Sequence, residues 1–343
     1  MKAVALTGIK QMEIIDIPMP EIKKENEVLL KLEVVGVCGS DVHYYETGRI
    51  GSQVVKYPYF VGHECSAMVA ATGKAVRHLK EGQAVSVEPA MSCHTCDQCK
   101  AGRENTCRNL RFLGTPPQPG CLFEYIVMPE DCLYPTYDKI SLGQAALCEP
   151  LSVGIYSVKQ AHLSKGCDIA ILGAGPIGLS VLLAAKAEGV RNIYVTEKIR
   201  ARLDAAKKAG ATWVGSPDEE DVVRTVSQKT ALGIDVYFEC AGQQETIDQG
   251  LEMLKPGGRA VIVGIPRVDR VSFSIDSLRR KEITVVNIRR QNNCVRHAID
   301  LLASGQTNVD FMITHRFKLE QTKEAFDLVA SYNDGVIKTL IEF

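Results

Sequence analysis

The sequence lacks an excess of charge of either sign and any long hydrophobic run. It carries 40 Lys and Arg residues against 41 Asp and Glu residues, a formal net charge of −1. No strong field therefore attracts nucleic acid or an anionic membrane, and a small, nearly neutral partner is favoured. No run of roughly 18 apolar residues occurs, and the start, MKAVALTGIKQMEIID, lacks the apolar length and cleavage site of an export signal. We expect a soluble, cytoplasmic protein.

The length and texture of the chain indicate two domains. A chain of 343 residues exceeds the usual size of one domain. Residues 1–150 contain short alternating or β-branched runs broken by Gly and Pro, which indicate a mainly β domain. Residues 151–288 alternate strands and helices, which predicts an α/β fold with a doubly wound parallel sheet. Residues 289–343 return to mixed patterns and are expected to complete the first domain.

The second domain carries the clearest element pattern. The predicted strands are DIAILGAG, NIYVTE, IDVYFECAG, RAVIVGI and EITVVNI. The predicted helices are IGLSVLLAAKAEG, RARLDAAKKAGA, DEEDVVRTVSQKT and QQETIDQGLEMLKPGG. Their lengths and their order along the chain are those of repeated strand–helix–strand units.

The first strand of this domain runs into a glycine-rich turn, Gly173-Ala-Gly175-Pro-Ile-Gly178, and then into a helix. Gly173 permits the tight turn, Gly175 lets the backbone approach a pyrophosphate, and Gly178 allows close helix packing. The helix N-terminus, with Pro176 and Ile177 in its first turn, offers N–H groups and positive charge to phosphates. The pattern predicts a dinucleotide-binding site.

Glu197 ends the second strand, about 20 residues beyond the turn, where a carboxylate accepts hydrogen bonds from the adenosine ribose. A carboxylate there repels a 2′-phosphate, so NAD is favoured over NADP. Lys198, Arg200 and Arg202 follow closely and leave NADP as an alternative, and Arg202 is itself a candidate cofactor contact. The structural alternative is a plain helix N-terminus beside a surface Glu.

Four of the twelve cysteines are closely spaced, as Cys93-x-x-Cys96-x-x-Cys99 with Cys107 eight residues later. Four thiolates at this spacing can surround one zinc ion tetrahedrally, with no position left for substrate. The pattern therefore predicts a structural zinc that braces a loop. A disulfide pair is the less favoured alternative, because the compartment is expected to be reducing.

A catalytic zinc needs three protein ligands and one exchangeable position. The remaining candidates are Cys38 in GVCGSDVHYYETGRIG, His63 and Glu64 in FVGHE, and Glu149 in ALCEPL. Each has an ordinary structural explanation when taken alone, since a single His after Gly is usually a hydrogen-bonded loop residue. The combination is what indicates a second metal site.

The segments GVCGSDVHYYETGRIG, VGHE, the four-cysteine loop, CEPLSVG and GAGPIG, in this order, resemble the zinc-dependent medium-chain dehydrogenases. Within them, the chain is most similar to sorbitol (L-iditol) and xylitol dehydrogenases, over essentially its whole length. The resemblance implies a GroES-like catalytic domain of residues 1–150 completed by residues 289–343, and a Rossmann domain of residues 151–288. It also implies NAD, two zinc ions per chain and a homotetramer.

The resemblance implies that Cys38, His63, Glu64 and a water hold the catalytic zinc. Glu149 would lie close to the metal, facing it directly or through its water. Alcohol dehydrogenases of the same superfamily have a second Cys where Glu149 aligns, and Cys148 is its neighbour here. We expect Cys148 to point away from the metal into the packed interior.

Three further polar residues follow Cys38. By resemblance, Asp41 accepts the other N–H of His63 and fixes its tautomer. Ser40 and His43 match positions that carry a proton from the zinc-bound oxygen to solvent, and water through Glu149 is a competing route. The structural alternative is a turn capped by its own side chains.

The resemblance also indicates how substrate is bound. The candidate partners for polyol hydroxyl groups are Tyr44, Glu149 and Arg289. Phe112 and Thr115 would line the pocket. The usual Arg-Tyr pair reads Arg289-Arg290 in this chain, which also permits an anionic substrate such as a sugar phosphate, although an exposed Arg290 is the simpler explanation.

The expected reaction is zinc-dependent oxidation of a secondary alcohol of a polyol, with hydride transfer to NAD. Threonine and 2,3-butanediol dehydrogenases share the same scaffold and remain alternatives. A zinc-finger-like nucleic-acid module is disfavoured, because no recognition helix follows the four cysteines and the net charge is near zero. A non-catalytic relative is disfavoured because the four candidate catalytic residues are present.

Overall fold

The computed structural model describes all 343 residues. The chain divides into two compact units: the first is Met1–Glu149 with Val295–Phe343, and the second is Pro150–Cys294. The sequence analysis places the boundaries after residues 150 and 288, whereas the structure places them after residues 149 and 294.

The strands are short and are numbered in chain order. They are β1 (Lys2–Gly8), β2 (Gln11–Asp16), β3 (Glu27–Gly36), β4 (Arg49–Ile50), β5 (Gln53–Val54), β6 (Glu64–Thr72), β7 (Ala84–Val87), β8 (Ala90–Met91), β9 (Arg111–Phe112), β10 (Tyr125–Pro129), β11 (Leu133–Pro135), β12 (Asp168–Leu172), β13 (Asn192–Thr196), β14 (Trp213–Gly215), β15 (Ile234–Glu239), β16 (Leu254–Ile262), β17 (Thr284–Asn287), β18 (Ile313–Lys318) and β19 (Lys338–Glu342).

The helices are numbered in the same way. They are α1 (Gly39–Thr47), α2 (Asp97–Lys100), α3 (Leu142–Ala146), α4 (Cys148–Ala161), α5 (Pro176–Ala187), α6 (Arg200–Ala209), α7 (Val222–Lys229), α8 (Gln244–Met253), α9 (Ile275–Arg280), α10 (Val295–Ser304) and α11 (Thr322–Ser331). None of them combines the length and the apolar character that crossing a bilayer requires.

The first unit is built on a seven-stranded sheet of order β11-β7-β6-β3-β19-β18, with β10 also paired to β3. All of its pairs are antiparallel except that of β18 with β19. Strand β3 alternates between buried Leu30 and Leu32 and exposed Lys31, the period that an apolar face requires. At its end, Gly36 pairs with Glu64 of β6 on one side and with Leu340 of β19 on the other. The end of β3 thus brings distant segments together.

The second unit contains a six-stranded sheet of order β14-β13-β12-β15-β16-β17 in which every pair is parallel. Strand β12 lies in the middle and all five of its residues are buried, as its unbroken apolar run predicts. The chain order reverses direction beside β12, which is the doubly wound arrangement expected from the sequence.

The clearest difference from the sequence-based prediction is at one helix end, and the structure also adds helix α4 and two short elements. Helix α8 ends at Met253, and the following LKPGG belongs to β16 instead of continuing the helix. Pro256 cannot donate a helical hydrogen bond and Gly257 has φ +75°, so the helix cannot continue through this segment. Strand β14 and helix α9 are too short, at three and six residues, to give a periodic signal.

Candidate metal and cofactor sites

Cys38, His63 and Glu64 meet in the first unit. Cys38 is the N-cap of α1, and its thiol makes no capping hydrogen bond, so the sulfur remains available to a ligand. His63 precedes β6 and Glu64 is the first residue of that strand. One ligand atom from each of the three lies within 4.8 Å of the others. We call this group the Cys-His-Glu cluster; its mixed donor set suits zinc with a position left open.

Asp41 orients His63 within the cluster. Its Oδ1 lies 3.3 Å from His63 Nδ1 and accepts a 3.1 Å hydrogen bond from the Gly62 N–H. This leaves Nε2 of His63 for a metal. Burial alone would lower the pKa of His63, but the charges of Asp41 and Cys38 outweigh burial and raise that pKa well above its usual range. The Phe112 ring packs against the imidazole at a centroid distance of 5.4 Å.

Glu64 has a cationic partner that sequence reasoning missed. The Lys338 ammonium donates to both Glu64 oxygens, at 2.8 and 2.6 Å, and to the Val37 carbonyl at 3.0 Å. Both side chains are only 1% exposed. Burial tends to lower the pKa of Lys338, yet the carboxylate of Glu64 and the thiolate of Cys38 leave it raised. The available signal was a single Lys inside the apolar run VIKTLI.

The other residues of the GSDVHYY segment lie on α1. The Ser40 hydroxyl donates to Cys38 Sγ at 3.3 Å, which places it directly beside the cluster. His43 is half-buried, and Tyr44 is buried with its hydroxyl 3.3 Å from Gln53 Oε1. Helix α1 therefore places Ser40 beside Cys38, a candidate metal ligand, and Tyr44 beside Gln53.

Glu149 and Cys148 occupy the first turn of α4. Glu149 is buried at 6% exposure, and its charge acts on the Lys338 ammonium. Cys148 is fully buried, and its thiol donates to the Gln144 carbonyl at 3.5 Å. Burial raises the pKa of Cys148 to about 12, and its thiol is already engaged with a backbone carbonyl of the packed interior.

Thr115 and Phe112 come from another loop of the first unit. Phe112 ends β9 and is buried, and Thr115 is half-buried three residues later. Phe112 contacts the Cys-His-Glu cluster through its ring packing on His63.

The four cysteines of the loop form a second group, the four-cysteine cluster. The Sγ atoms of Cys93, Cys96, Cys99 and Cys107 all lie within 4.8 Å of one another. Cys96 Sγ is 3.5 Å from Cys99 Sγ and 3.9 Å from Cys107 Sγ. Sulfur atoms around a tetrahedral zinc are about 3.8 Å apart, because each Zn–S bond is about 2.3 Å long. The residues therefore fit a zinc ion.

Neighbouring polar groups favour the thiolate form of Cys93. The Thr95 hydroxyl and the Asn109 amide donate to Cys93 Sγ at 3.5 and 3.6 Å. Hydrogen bonds from Thr95, followed by that from Asn109, lower the pKa of Cys93 to about 5. A metal at this cluster would therefore meet at least one sulfur that is already anionic at neutral pH.

The glycine-rich turn lies between β12 and α5 in the second unit. Gly173 has φ +103°, a left-handed conformation that side chains disfavour. Gly175 is the N-cap of α5 and Pro176 follows as its first residue, with Ile177 half-buried after it. A Cβ on Gly178 would collide with the Gly173 carbonyl, so only glycine allows this helix to start so close to the strand. The local geometry is that of a phosphate-binding turn.

Glu197 lies directly beside this turn. Its Oε2 accepts the Ala174 N–H at 2.8 Å, while Oε1 accepts the N–H groups of Lys198 and Ile199 at 2.8 and 3.1 Å. Arg202 of α6 is 8% exposed, and its Nη1 lies 3.6 Å from the position of a Cβ built on Gly175. A carboxylate and a guanidinium therefore flank the turn, as the sequence predicts.

Arg289 and Arg290 follow β17 in the second unit. Arg289 is exposed, whereas Arg290 is half-buried and has φ +55°. From the sequence, an exposed Arg290 is the simpler alternative to recognition of an anionic substrate, but in the structure this residue is half-buried. The left-handed backbone at Arg290 marks a sharp turn after the strand.

Comparison with known proteins identifies the same two parts. The family described as "Alcohol dehydrogenase GroES-like domain" matches residues 24–138, and "Zinc-binding dehydrogenase" matches residues 176–304. The chain is 38% identical to sorbitol dehydrogenase of Bacillus subtilis over 342 residues, which covers 99% of this chain and 97% of that protein. It is 37% identical over 342 residues to D-xylulose reductase A of Aspergillus niger, covering 98% and 95%.

A solved structure agrees with these relatives. The crystal structure of 2R,3R-butanediol dehydrogenase from Bacillus subtilis superposes with a TM-score of 0.91 at 30% identity and covers 100% of this chain and 99% of that one. The similarity spans both units, and the zinc and NAD(P) use of such enzymes accords with the two clusters and the glycine-rich turn. The chain is an oxidoreductase that belongs to the zinc-dependent medium-chain dehydrogenases.

Proposed function

We propose that this protein oxidises a secondary alcohol of a polyol, such as sorbitol, xylitol or L-iditol, to the ketose with NAD as the hydride acceptor. The observation that carries the proposal is the Cys-His-Glu cluster, which contains one cysteine. The ligand set implied for alcohol dehydrogenases of the same superfamily contains a second cysteine. The names of the sorbitol dehydrogenase and D-xylulose reductase relatives support the same substrate class.

Two zinc ions per chain are part of this proposal. Cys38, His63 and Glu64 would hold the catalytic ion, with Glu149 facing it directly or through water. The four-cysteine cluster would hold the structural ion and brace its loop. When bound, the catalytic zinc supplies Lewis acidity that makes an alcohol hydroxyl easier to deprotonate.

The side chains around the cluster handle the proton and the substrate. Ser40, which already donates to Cys38 Sγ, and His43 would pass the hydroxyl proton towards solvent. The wall beside His63 would be formed by Phe112, with Thr115 nearby. The proposed partners of polyol hydroxyl groups are Tyr44, Glu149 and Arg289. Buried polar groups of this kind reject substrates that leave them unpaired.

The glycine-rich turn would bind the cofactor. The backbone at Gly173, Gly175 and Gly178, with the first turn of α5, would hold the pyrophosphate. Glu197 would accept a hydrogen bond from the adenosine ribose and disfavour a 2′-phosphate, which makes NAD the proposed cofactor. When bound, NAD would supply the acceptor for the hydride of the alcohol carbon.

A substrate screen tests this function directly. NADH formation is measured for the zinc-loaded protein with sorbitol, xylitol, L-iditol, threonine and 2,3-butanediol, each with NAD and with NADP. We expect the highest kcat/KM with a polyol and NAD. A higher kcat/KM with threonine or 2,3-butanediol would overturn the polyol assignment.

The half-buried Arg290 favours a second candidate substrate class, the sugar-alcohol phosphates. Sorbitol 6-phosphate added to the same screen tests this candidate, with Arg290→Tyr as the matched variant. If phosphate is recognised, the wild-type kcat/KM for the phosphate exceeds that for sorbitol, and Arg290→Tyr reverses the order. An equal loss of kcat/KM on sorbitol and on sorbitol 6-phosphate in Arg290→Tyr would contradict phosphate recognition.

We also propose that the protein is a cytoplasmic homotetramer. The twelve cysteines form no disulfide, which suits a reducing compartment. Strand β17 lies at the edge of its sheet, and Ile265, Val268 and Ile275, in the segment of the chain between β16 and β17, are 52%, 60% and 75% exposed. An unpaired edge beside apolar side chains is suited to pairing with a second copy. Sedimentation equilibrium tests the assembly, and a monomeric mass would contradict it.

A further inference from the structure

Lys338 is a buried lysine whose hydrogen bonds all go to the candidate catalytic site. It is 1% exposed and donates to Glu64 Oε1, Glu64 Oε2 and the Val37 carbonyl. These three bonds satisfy the three N–H groups of the ammonium. Val37 directly precedes Cys38, so Lys338 bonds both to the Glu64 side chain and to the backbone next to Cys38.

The sheet fixes this pairing in place. Lys338 begins β19, whose Leu340 pairs with Gly36, and Gly36 pairs in turn with Glu64 on the other side of β3. A Cβ on Gly36 would collide with Glu64 Oε2, so the carboxylate lies against the β3 backbone. Three neighbouring strands therefore hold the carboxylate and the ammonium at contact distance.

The positive charge of Lys338 stabilises the Glu64 carboxylate but repels a metal cation. A buried carboxylate without a partner is strongly unfavourable, and the ammonium removes that penalty for Glu64. A metal ion at the Cys-His-Glu cluster would draw on the same carboxylate oxygens. It would also lie close to a fixed positive charge, and like charges in a buried site repel strongly.

We propose that Lys338 is a built-in counter-cation that shares Glu64 with the catalytic metal. It keeps the carboxylate in position and the site assembled, and it weakens the hold of the site on its metal. Lys338 is a positioning residue acting through Glu64, not a metal ligand. The inference rests on the proposed function in one respect, since it requires the Cys-His-Glu cluster to bind a metal.

The test is the Lys338→Met variant, which replaces the ammonium with an apolar chain of similar length. We expect its zinc affinity at the Cys-His-Glu cluster, measured by chelator competition, to rise roughly tenfold to a hundredfold. Its Tm in excess chelator should fall by roughly 5 °C or more, and the zinc-induced rise in Tm should exceed that of the wild type. A merely structural lysine would lower both affinity and Tm.

Matched variants separate the possible results. Cys38→Ala identifies the binding phase that belongs to the cluster, and Lys318→Met removes a lysine that is 67% exposed and paired with Glu342. Lys318→Met should change neither the zinc affinity of the cluster nor the Tm in excess chelator. Weaker or unchanged zinc binding in Lys338→Met overturns the inference.

A double-variant cycle keeps the inference testable if Lys338→Met folds poorly. Glu64→Gln leaves a buried ammonium without its carboxylate, and the Lys338→Met and Glu64→Gln double variant removes both charges. The double variant should be more stable than either single variant in chelator. Additive losses of stability would overturn the pairing. A wild-type protein that binds only one zinc per chain would instead contradict the proposed function.

Discussion

Asp41 supports the Cys-His-Glu cluster through a single oxygen. Its Oδ1 contacts both His63 Nδ1 and the Gly62 N–H, whereas its buried Oδ2 has no hydrogen-bond partner. An Asp41→Asn substitution keeps the shape but removes the charge that holds the ring, so zinc affinity at the cluster should fall about tenfold to a hundredfold. Chelator competition measures this, with the exposed Asp138→Asn as control. Unchanged affinity would show that Asp41 does not orient His63.

The neighbouring residues Cys148 and Glu149 offer two different metal ligands. Because the fully buried Cys148 thiol donates to the Gln144 carbonyl and lies outside both metal clusters, Cys148→Ala should retain two zinc ions per chain and most of the activity. Glu149→Gln should lower kcat by about tenfold or more, since it removes the charge that we propose acts on the metal and the substrate. Metal analysis and steady-state kinetics measure both variants. Loss of one zinc in Cys148→Ala would instead indicate that Cys148, and not Glu149, faces the metal.

Glu197 is the residue through which cofactor choice can be tested. A Glu197→Gln substitution keeps an oxygen that can accept the Ala174 N–H and removes the charge that we propose repels a 2′-phosphate. The ratio of kcat/KM for NADP to that for NAD should therefore rise about tenfold. The exposed Glu188→Gln, at the C-cap of α5, is the control and should leave the ratio unchanged. An unchanged ratio in Glu197→Gln would mean that other groups select the cofactor.

Residues were predictable from the sequence where their partners are near in the chain. Glu197 was expected beside the glycine-rich turn because the strand–helix–strand unit fixes that distance. Lys338 was not, because its partner Glu64 is 274 residues away and only strand pairing through β3 joins them. A lone Lys in an apolar run signals a buried charge, but it does not identify the counter-ion.

At the scale of elements, the sequence predicted motifs that are continuous in the chain better than it predicted where helices and strands end. The four cysteines and the β12–α5 turn are each contained in about fifteen residues or fewer, so spacing alone predicted their arrangement. The end of α8 was wrong, because the helical pattern of QQETIDQGLEM does not show where LKPGG leaves the helix for β16. Pairing of β16 with β15 and β17 is a tertiary effect that overrides local preference.

Lys281 caps the end of α8 from outside the helix. Its ammonium donates to the carbonyls of Leu251, Glu252 and Leu254 at 2.9, 2.9 and 2.8 Å. Lys281→Met leaves these carbonyls without that donor, and the free energy of unfolding should fall by about 1–2 kcal/mol. Urea unfolding measures the change. The control is Lys207→Met, an exposed lysine in the last turn of α6, which should change stability by less than about 0.5 kcal/mol.

At the scale of the whole molecule, the two kinds of site lie in different units. Both candidate metal clusters belong to the first unit, and the glycine-rich turn belongs to the second. The composition change near residue 150 predicted this division, because a β-rich and a regular strand–helix texture need different cores. Residues 289–343 are expected from the sequence to complete the first domain, and in the structure residues 295–343 return to the first unit, where β19 pairs with β3.

Because both candidate metal clusters lie in the first unit, metal removal should affect the stability of that unit and not of the second. Trp213 is the only tryptophan of the chain and lies in β14 of the second unit, so its fluorescence reports that unit alone. Far-UV circular dichroism reports both units. Stripping zinc would remove the ion that we propose braces the four-cysteine loop, so the urea midpoint of the first unit should fall.

We therefore expect zinc removal to lower the circular dichroism midpoint while the Trp213 midpoint changes little, because the second unit contains neither metal cluster. The Cys38→Ala variant is the control that affects only one of the two clusters, and its shift should be smaller than that of full chelation. Equal shifts of both signals after zinc removal would contradict separate cores. In that case the two units unfold as one cooperative body, and metal bound in the first unit stabilises the cofactor-binding sheet as well.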